Sequence, residues 1–163
     1  MDGHARVSAT CQRETVASVI EEMKLYLDEE WLALGRNHDK IALKIEYEKY
    51  RRIEAMGGLR IFTVRADGEL AGWLIYMVNR HLNFADHLFC KSNAFWIRPE
   101  WRGRGFGSRL MQFAVEQLTA DRVAVMHTTA TVQYPGTAKF LEAQGHTLIE
   151  YGYEKVLIGK DGR

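Results

Sequence analysis

The residues best suited to chemistry lie in one continuous run, Ile97-Arg98-Pro99-Glu100-Trp101-Arg102-Gly103-Arg104-Gly105-Phe106-Gly107-Ser108-Arg109-Leu110. The pattern reads as a strand that ends, a glycine-rich turn, and a helix that starts at once. A helix N-terminus carries unpaired backbone N–H groups and a partial positive charge, so it holds anions. Glycines at 103, 105 and 107 let main chain approach a phosphate closely, and Arg102 and Arg104 add cationic donors. The chemistry implied is a cradle for a pyrophosphate.

Two common cradles do not match. No Gly-Lys-Ser/Thr triplet occurs, which excludes a P-loop. The dinucleotide fingerprint needs Gly-x-Gly-x-x-Gly, and here the third glycine, Gly107, comes one residue early. The six histidines, at 4, 38, 81, 87, 127 and 146, form no ligand set with cysteine or carboxylate, so no metal site is expected. No nucleophile-elbow motif marks a covalent acyl-transfer triad.

The elements that must position this turn follow from periodicity. Residues 14–34 carry Val16, Val19, Ile20, Met23, Leu27, Trp31 and Leu34 at helical spacing, which predicts one amphipathic helix. A second helix is expected over 46–56, stopped by Gly57-Gly58. Residues 59–66 and 69–78 are strand-like and flank Asp67-Gly68, a strong hairpin signal. A loop is expected over 79–86, a strand over 88–98, a helix over 108–120 and a strand over 122–132. A short helix over 137–144 and one or two strands within 146–158 complete the order, followed by a polar tail at 159–163.

The 163 residues suit one domain covering 1–163, with no linker, repeat or low-complexity segment. Apolar residues make up 47% and charged residues 26%, ordinary globular composition that argues against disorder and against a coiled coil. A net charge of +1 argues against a bulk nucleic-acid binder. No run of 18 apolar residues suggests a membrane span, and residues 1–6 lack the apolar core of a signal peptide. Cys11 and Cys90 fit reduced thiols in a cytoplasmic protein.

Arg102-x-x-Gly105-x-Gly107, preceded by a strand and Pro99-Glu100-Trp101, resembles the acetyl-CoA loop of the GNAT N-acetyltransferases. Phe140-Leu141-Glu142-Ala143-Gln144-Gly145-His146 is similar to that family's helix ending in Gly and an aromatic. The resemblance covers roughly 59–158. It implies a mixed α/β fold with a splayed, mostly antiparallel sheet of six to seven strands and about four helices. Glu30-Trp31, Tyr50, Gly68, His81-Leu82-Asn83-Phe84 and Tyr153-Glu154-Lys155-Val156-Leu157 further resemble a branch found in phages and prophages.

The resemblance also implies sites. Phe95, Trp96 and Ile97 would offer backbone groups to the pantetheine arm of acetyl-CoA. Arg102, Gly103, Arg104, Gly105, Phe106, Gly107 and Ser108 would hold its pyrophosphate, with Thr137, Lys139 and Phe140 beside its later parts. An amine of a small molecule or protein would attack the thioester directly; a homodimer is compatible with the fold. The usual acid, a tyrosine, is here Leu141, and the position of a base glutamate is Lys91. Remaining candidates for the reacting end are His127 and Tyr134, and His87 and Asp86 at the start of the preceding strand, with Asn93 an inward polar group that is not itself a base. Two other functions compete: an acyl-CoA-binding module that has lost turnover, and a phage nucleic-acid-modifying relative using Arg98, Arg102, Arg104, Arg109, Trp96 and Trp101.

Overall fold

A computed structural model describes residues 7–157. His4, the run 1–6, Ile158 and the tail 159–163 lie outside the described residues. The sheet has five strands in the order β1-β2-β3-β4-β5. They are β1 (Ala9–Glu14), β2 (Leu59–Ala66), β3 (Glu69–His81), β4 (Phe84–Ile97) and β5 (Val123–His127). Three pairings are antiparallel and β4–β5 is parallel. A parallel pair needs a crossover, and α4 (Phe106–Ala120) supplies it.

Side-chain alternation divides the sheet into two apolar faces. Phe62, Val64, Leu74 and Tyr76 pack against Leu110, Met111 and Ala114 of α4 and against Leu141 of α5 (Pro135–Ala143). Ile61, Trp73, Ile75 and Trp96 face the opposite way, toward α1 (Val16–Met23), α2 (Leu27–Leu34) and α3 (Tyr47–Ala55). Thr15 starts α1 with a capping box: its hydroxyl accepts from the Ser18 N–H at 3.1 Å and the Ser18 hydroxyl accepts from the Thr15 N–H at 3.0 Å.

Several sequence expectations are corrected. Among the described residues the sheet has five strands rather than six to seven, and there are five α-helices rather than about four, with a 3-10 turn at Pro99–Trp101. The single helix expected over 14–34 breaks after Met23, where Tyr26 leaves helical geometry and its ring lies 4.1 Å under the Arg98 guanidinium. Residues 9–14 form the edge strand β1, whose polar sequence shows no apolar alternation because the ladder to β2 and the Glu14–Arg65 ion pair hold it. The loop expected over 79–86 is a tight hairpin, closed where His81 Nδ1 accepts from the Asn83 N–H at 3.1 Å.

The strand expected over 122–132 stops at His127, because β4 turns away and no partner remains for the ladder. Residues 146–157 form no strand. Leu148, Ile149, Tyr151 and Tyr153 are exposed there, and the segment is tied back through Glu154 to Arg36 at 3.0 Å and Asn37 at 2.7 Å.

Candidate active site

The site begins at a phase change in β4. Ile75 faces Ala94 while Tyr76 faces Ser92, so Asn93 is an extra residue, a β-bulge. On the other edge, β4 pairs with β5 only from Leu88–Val123 to Lys91–His127. Beyond that point the strands part, and residues 92–97 of β4 keep β3 on one side and, among the described residues, no strand on the other. The last link between the diverging walls is the Thr129 N–H donating to Ser92 Oγ at 2.8 Å.

At the far end of this open edge the chain makes the glycine-rich turn. Gly103 (φ 73°) and Gly105 (φ 80°) adopt left-handed backbone, which L-residues with a side chain resist. Gly105 is the N-cap of α4, no side chain caps that end, and its first turn holds no acidic residue. The first intrahelical hydrogen bond runs from the Arg109 N–H to Gly105 O at 3.1 Å, leaving the N–H groups of Phe106, Gly107 and Ser108 without a helical partner. A Cβ placed at Gly103 or Gly105 meets nothing within 4 Å, so the ground in front of the turn is open.

The two arginines of the turn are braced from behind. Arg102 lies 4.4 Å over the Trp96 ring and its Nε donates to Ile97 O at 2.8 Å; Arg104 lies 5.1 Å over Trp101. Trp101 meets the buried Phe106 edge to face at 5.5 Å. Phe106 and Trp96 are therefore core side chains, and only their main chain faces the opening. Phe95 stacks on Phe140 of α5 at 5.6 Å, and both rings, with Ile97, lie within van der Waals range of a Cβ built on Gly107. Four of the expected residues, from three elements, thus meet at one point. Thr137 is in the first turn of α5, and Lys139 is exposed on that helix.

The candidates for the reacting end are less tightly grouped. Asn93 donates from Nδ2 to Tyr50 Oη at 2.8 Å. His127 ends β5 opposite Lys91, its ring edge-on to Phe89 at 6.0 Å. Tyr134 is the N-cap of α5. No hydrogen bond joins these three among the described residues. Leu141, at the position of the usual acid, is 6% exposed and packed in the α4 core.

Two groups escaped the sequence reading. Glu30 of α2 is half-buried beside a cavity and accepts from Trp73 Nε1 at 3.2 Å; burial pushes its carboxyl up to about 7, against the lowering effect of that indole. The signal was an acid at 30 within the apolar row of Leu27, Trp31 and Leu34. At the foot of the splay, Thr128 Oγ1 lies 2.6 Å from Tyr76 Oη and 3.2 Å from His146 Nε2, and burial pushes the Tyr76 phenol up. Those three residues come from separate segments, so spacing carried no hint of them.

The acetyltransferase (GNAT) family pattern matches residues 20–146, most of the chain. The chain belongs to the GNAT acetyltransferase family. No curated protein matches this GNAT chain in sequence. Among solved structures, it is similar to a ribosomal-protein-alanine N-acetyltransferase from Brucella melitensis biovar Abortus 2308, at 13% identity and TM-score 0.69, over 93% of this chain and all (100%) of the other. A transcriptional regulator from Bacillus halodurans C-125 superposes with TM-score 0.75 at 20% identity, covering 92% and 100% of the two chains. An aminoglycoside N-acetyltransferase in complex with CoA gives TM-score 0.67 at 17% identity, covering 93% and 97%. At such identities these likenesses establish the GNAT fold and nothing finer. No helix among the described residues is long and apolar enough to cross a membrane.

Proposed function

We propose that the protein is an acetyl-CoA-dependent N-acetyltransferase that acetylates the primary amine of a small molecule or protein by direct attack in a ternary complex. The observation that carries this reading is the parting of β4 and β5 after Lys91–His127, beside the free N-terminus of α4. The donor set fits the carrier: main-chain N–H groups of Phe106, Gly107 and Ser108, open ground at Gly103 and Gly105, and no carboxylate in that turn. A CoA complex of a protein with the same fold supports it.

In this reading the turn from Arg102 to Ser108 holds the pyrophosphate. The open edge of β4 at Phe95, Trp96 and Ile97 takes the pantetheine as an added strand, and Thr137, Lys139 and Phe140 flank it from α5. The Ile97 carbonyl is already engaged by Arg102, so Phe95 and Trp96 have the larger share of that edge. Bound acetyl-CoA supplies a thioester carbonyl open to attack by a neutral amine. The chain's part is positioning, which by itself can supply much of the rate. Asn93 and the bulge set the reacting end, and His127 and Tyr134 are the proton-transfer candidates there. The phage branch and a homodimer rest on the sequence resemblance, and a cytoplasmic location rests on Cys11 and Cys90 as reduced thiols.

A second reading, an acyl-CoA-binding module without turnover, is favoured by one observation: the usual acid position holds the buried Leu141. The nucleic-acid reading loses support, since Arg98 is 8% exposed and engaged with Glu69, Glu100 and Leu70 O. Thermal denaturation with acetyl-CoA tests the cradle; at 100 times its Kd a ligand adds about 2.7 kcal/mol. No shift overturns both CoA readings. Thiol release with a panel of amines then separates enzyme from module.

A further inference from the structure

The acceptor side of the sheet holds a carboxylate without a counter-charge. α2 presents Leu27, Glu30, Trp31 and Leu34 along one face, and this face walls a cavity of about 280 Å³ between α1–α3 and the sheet. Val19, Ile20, Leu43, Tyr47 and Tyr50 make up much of the remaining wall. The cavity reaches β4 at Asn93 and Ala94, so it connects Glu30 with the bulge where the strands part. Among the described residues, no lysine, arginine or histidine lines it. Glu30 accepts one hydrogen bond among the described residues, from the Trp73 indole.

A carboxylate placed on an apolar wall is costly to ionise unless a cation or several donors face it. Here one indole N–H does so. An incoming ammonium group would supply the missing charge. The rest of the wall then selects the body attached to it. Polar groups there are few: besides Glu30, the wall offers the Asn93 amide, one N–H of which goes to Tyr50, and the phenols of Tyr47 and Tyr50, so a polyhydroxylated ligand would bury more hydroxyls than these can pair.

We propose that this cavity is the acceptor site, that Glu30 holds the acceptor's ammonium group, and that the acceptor is an amine on a compact aromatic or branched aliphatic body. The proposal rests on the acetyltransferase reading above. One N–H bond of the ammonium breaks, its proton passes to a Glu30 carboxylate oxygen, and the nitrogen keeps the electron pair needed for attack. The raised pKa of the buried carboxyl makes it a better proton acceptor than an exposed glutamate.

The test uses 2-phenylethylamine, its neutral counterpart 2-phenylethanol, and kanamycin as a polyhydroxylated amine. Affinities are measured by calorimetry at pH 8 without acetyl-CoA, on wild type, Glu30→Gln and Trp31→Ala. The expected result is measurable 2-phenylethylamine binding that weakens at least tenfold in Glu30→Gln. Binding of 2-phenylethanol should be weaker and indifferent to Glu30→Gln, and Trp31→Ala should weaken both aryl ligands. In turnover Glu30→Gln should raise the amine KM at least tenfold while the acetyl-CoA thermal shift stays as in wild type. Equal affinity of wild type and Glu30→Gln for 2-phenylethylamine, no binding of it at all, or tighter binding of kanamycin overturns the proposal. If acetyl-CoA gives no thermal shift while Glu30-dependent amine binding persists, the acetyltransferase reading falls and the amine site stands. If acetyl-CoA binds and other amines turn over, the reverse holds.

Discussion

The side-chain amide of Asn93 donates to the phenol oxygen of Tyr50 at 2.8 Å, tying the bulge of β4 to α3 across the mouth of the cavity. The bond is solvent-exposed, so it orients more than it stabilises. Tyr50→Phe removes the acceptor and frees Asn93. With a net value of about 0.5–1.5 kcal/mol for such a bond, the amine KM should rise by up to about tenfold. The acetyl-CoA thermal shift should not change. Steady-state kinetics with each substrate varied in turn checks this, and a change confined to acetyl-CoA would refute it.

Glu30 should leave a mark on stability against pH. Its carboxyl titrates at about 7 in the folded chain against 4.5 when unperturbed. Between those values the folded state keeps a proton that the unfolded state has lost, so this contribution is full below the lower value and lost as pH rises through the upper one. The difference amounts to roughly 3 kcal/mol, at about 1.4 kcal/mol per pH unit. The other titratable groups lining the cavity are the phenols of Tyr47 and Tyr50. Glu14 and Asp121, whose carboxyls are held low by Arg65 and Arg60, act in the opposite sense but cancel in a comparison with Glu30→Gln. Urea denaturation at pH 5 and pH 8 should show wild type losing more stability than Glu30→Gln between them. Equal losses would contradict the burial argument.

Gly105 separates strain from charge. Its φ of 80° disfavours any side chain, while the space beyond its α-carbon is open. Gly105→Ala should therefore cost about 1–2 kcal/mol of stability and keep the acetyl-CoA thermal shift. Gly105→Glu should carry the same strain and lose the shift, because it sets a negative charge against a pyrophosphate. Differential scanning fluorimetry of both variants reads the two effects apart. A shift that survives in Gly105→Glu would remove the turn from the cofactor site.

His127 does not line the cavity of Glu30, and its ring meets Phe89 at the end of β5. As a proton donor late in the reaction it would affect kcat and leave amine binding alone. His127→Ala should lower kcat, with amine KM within twofold of wild type, about 0.4 kcal/mol. An unchanged kcat would take His127 out of the site.

Much of this architecture was readable where local chemistry decides it. Asp67 and Gly68 both take positive φ, at 49° and 91°, as the hairpin signal required. The glycine turn and the helix it launches were evident because backbone freedom and apolar periodicity coincide at 103–110. What was hidden depends on contacts distant in sequence. β1 owes its place to a ladder with β2 and to Glu14 beneath Arg65, neither of which leaves an apolar pattern. The break after Met23 has no glycine or proline; it accompanies the pairing of Tyr26 with Arg98 from the end of β4. Residues 146–157 alternate like a strand yet have none beside them in the described structure, so local propensity alone misled. In sequence Glu30 is one more charge on a helix; the cavity beside it is built by residues distant in the chain, such as Ile61, Ile75 and Asn93.

The extra residue at Asn93 is absorbed without turning the rest of its strand over. Phe95 and Ile97 point to the layer of α4, and Ala94 and Trp96 to the layer of α1–α3. Taking that one residue out would leave this assignment as it is: Ala94 would follow Ser92 directly and still face Ile75, so the ladder would only become regular. Phe95 would keep its stack on Phe140, and the arginine resting on Trp96 would keep its seat. What the deletion would take away is the local kink and the amide that reaches Tyr50, so it would touch the acceptor end and spare the glycine turn.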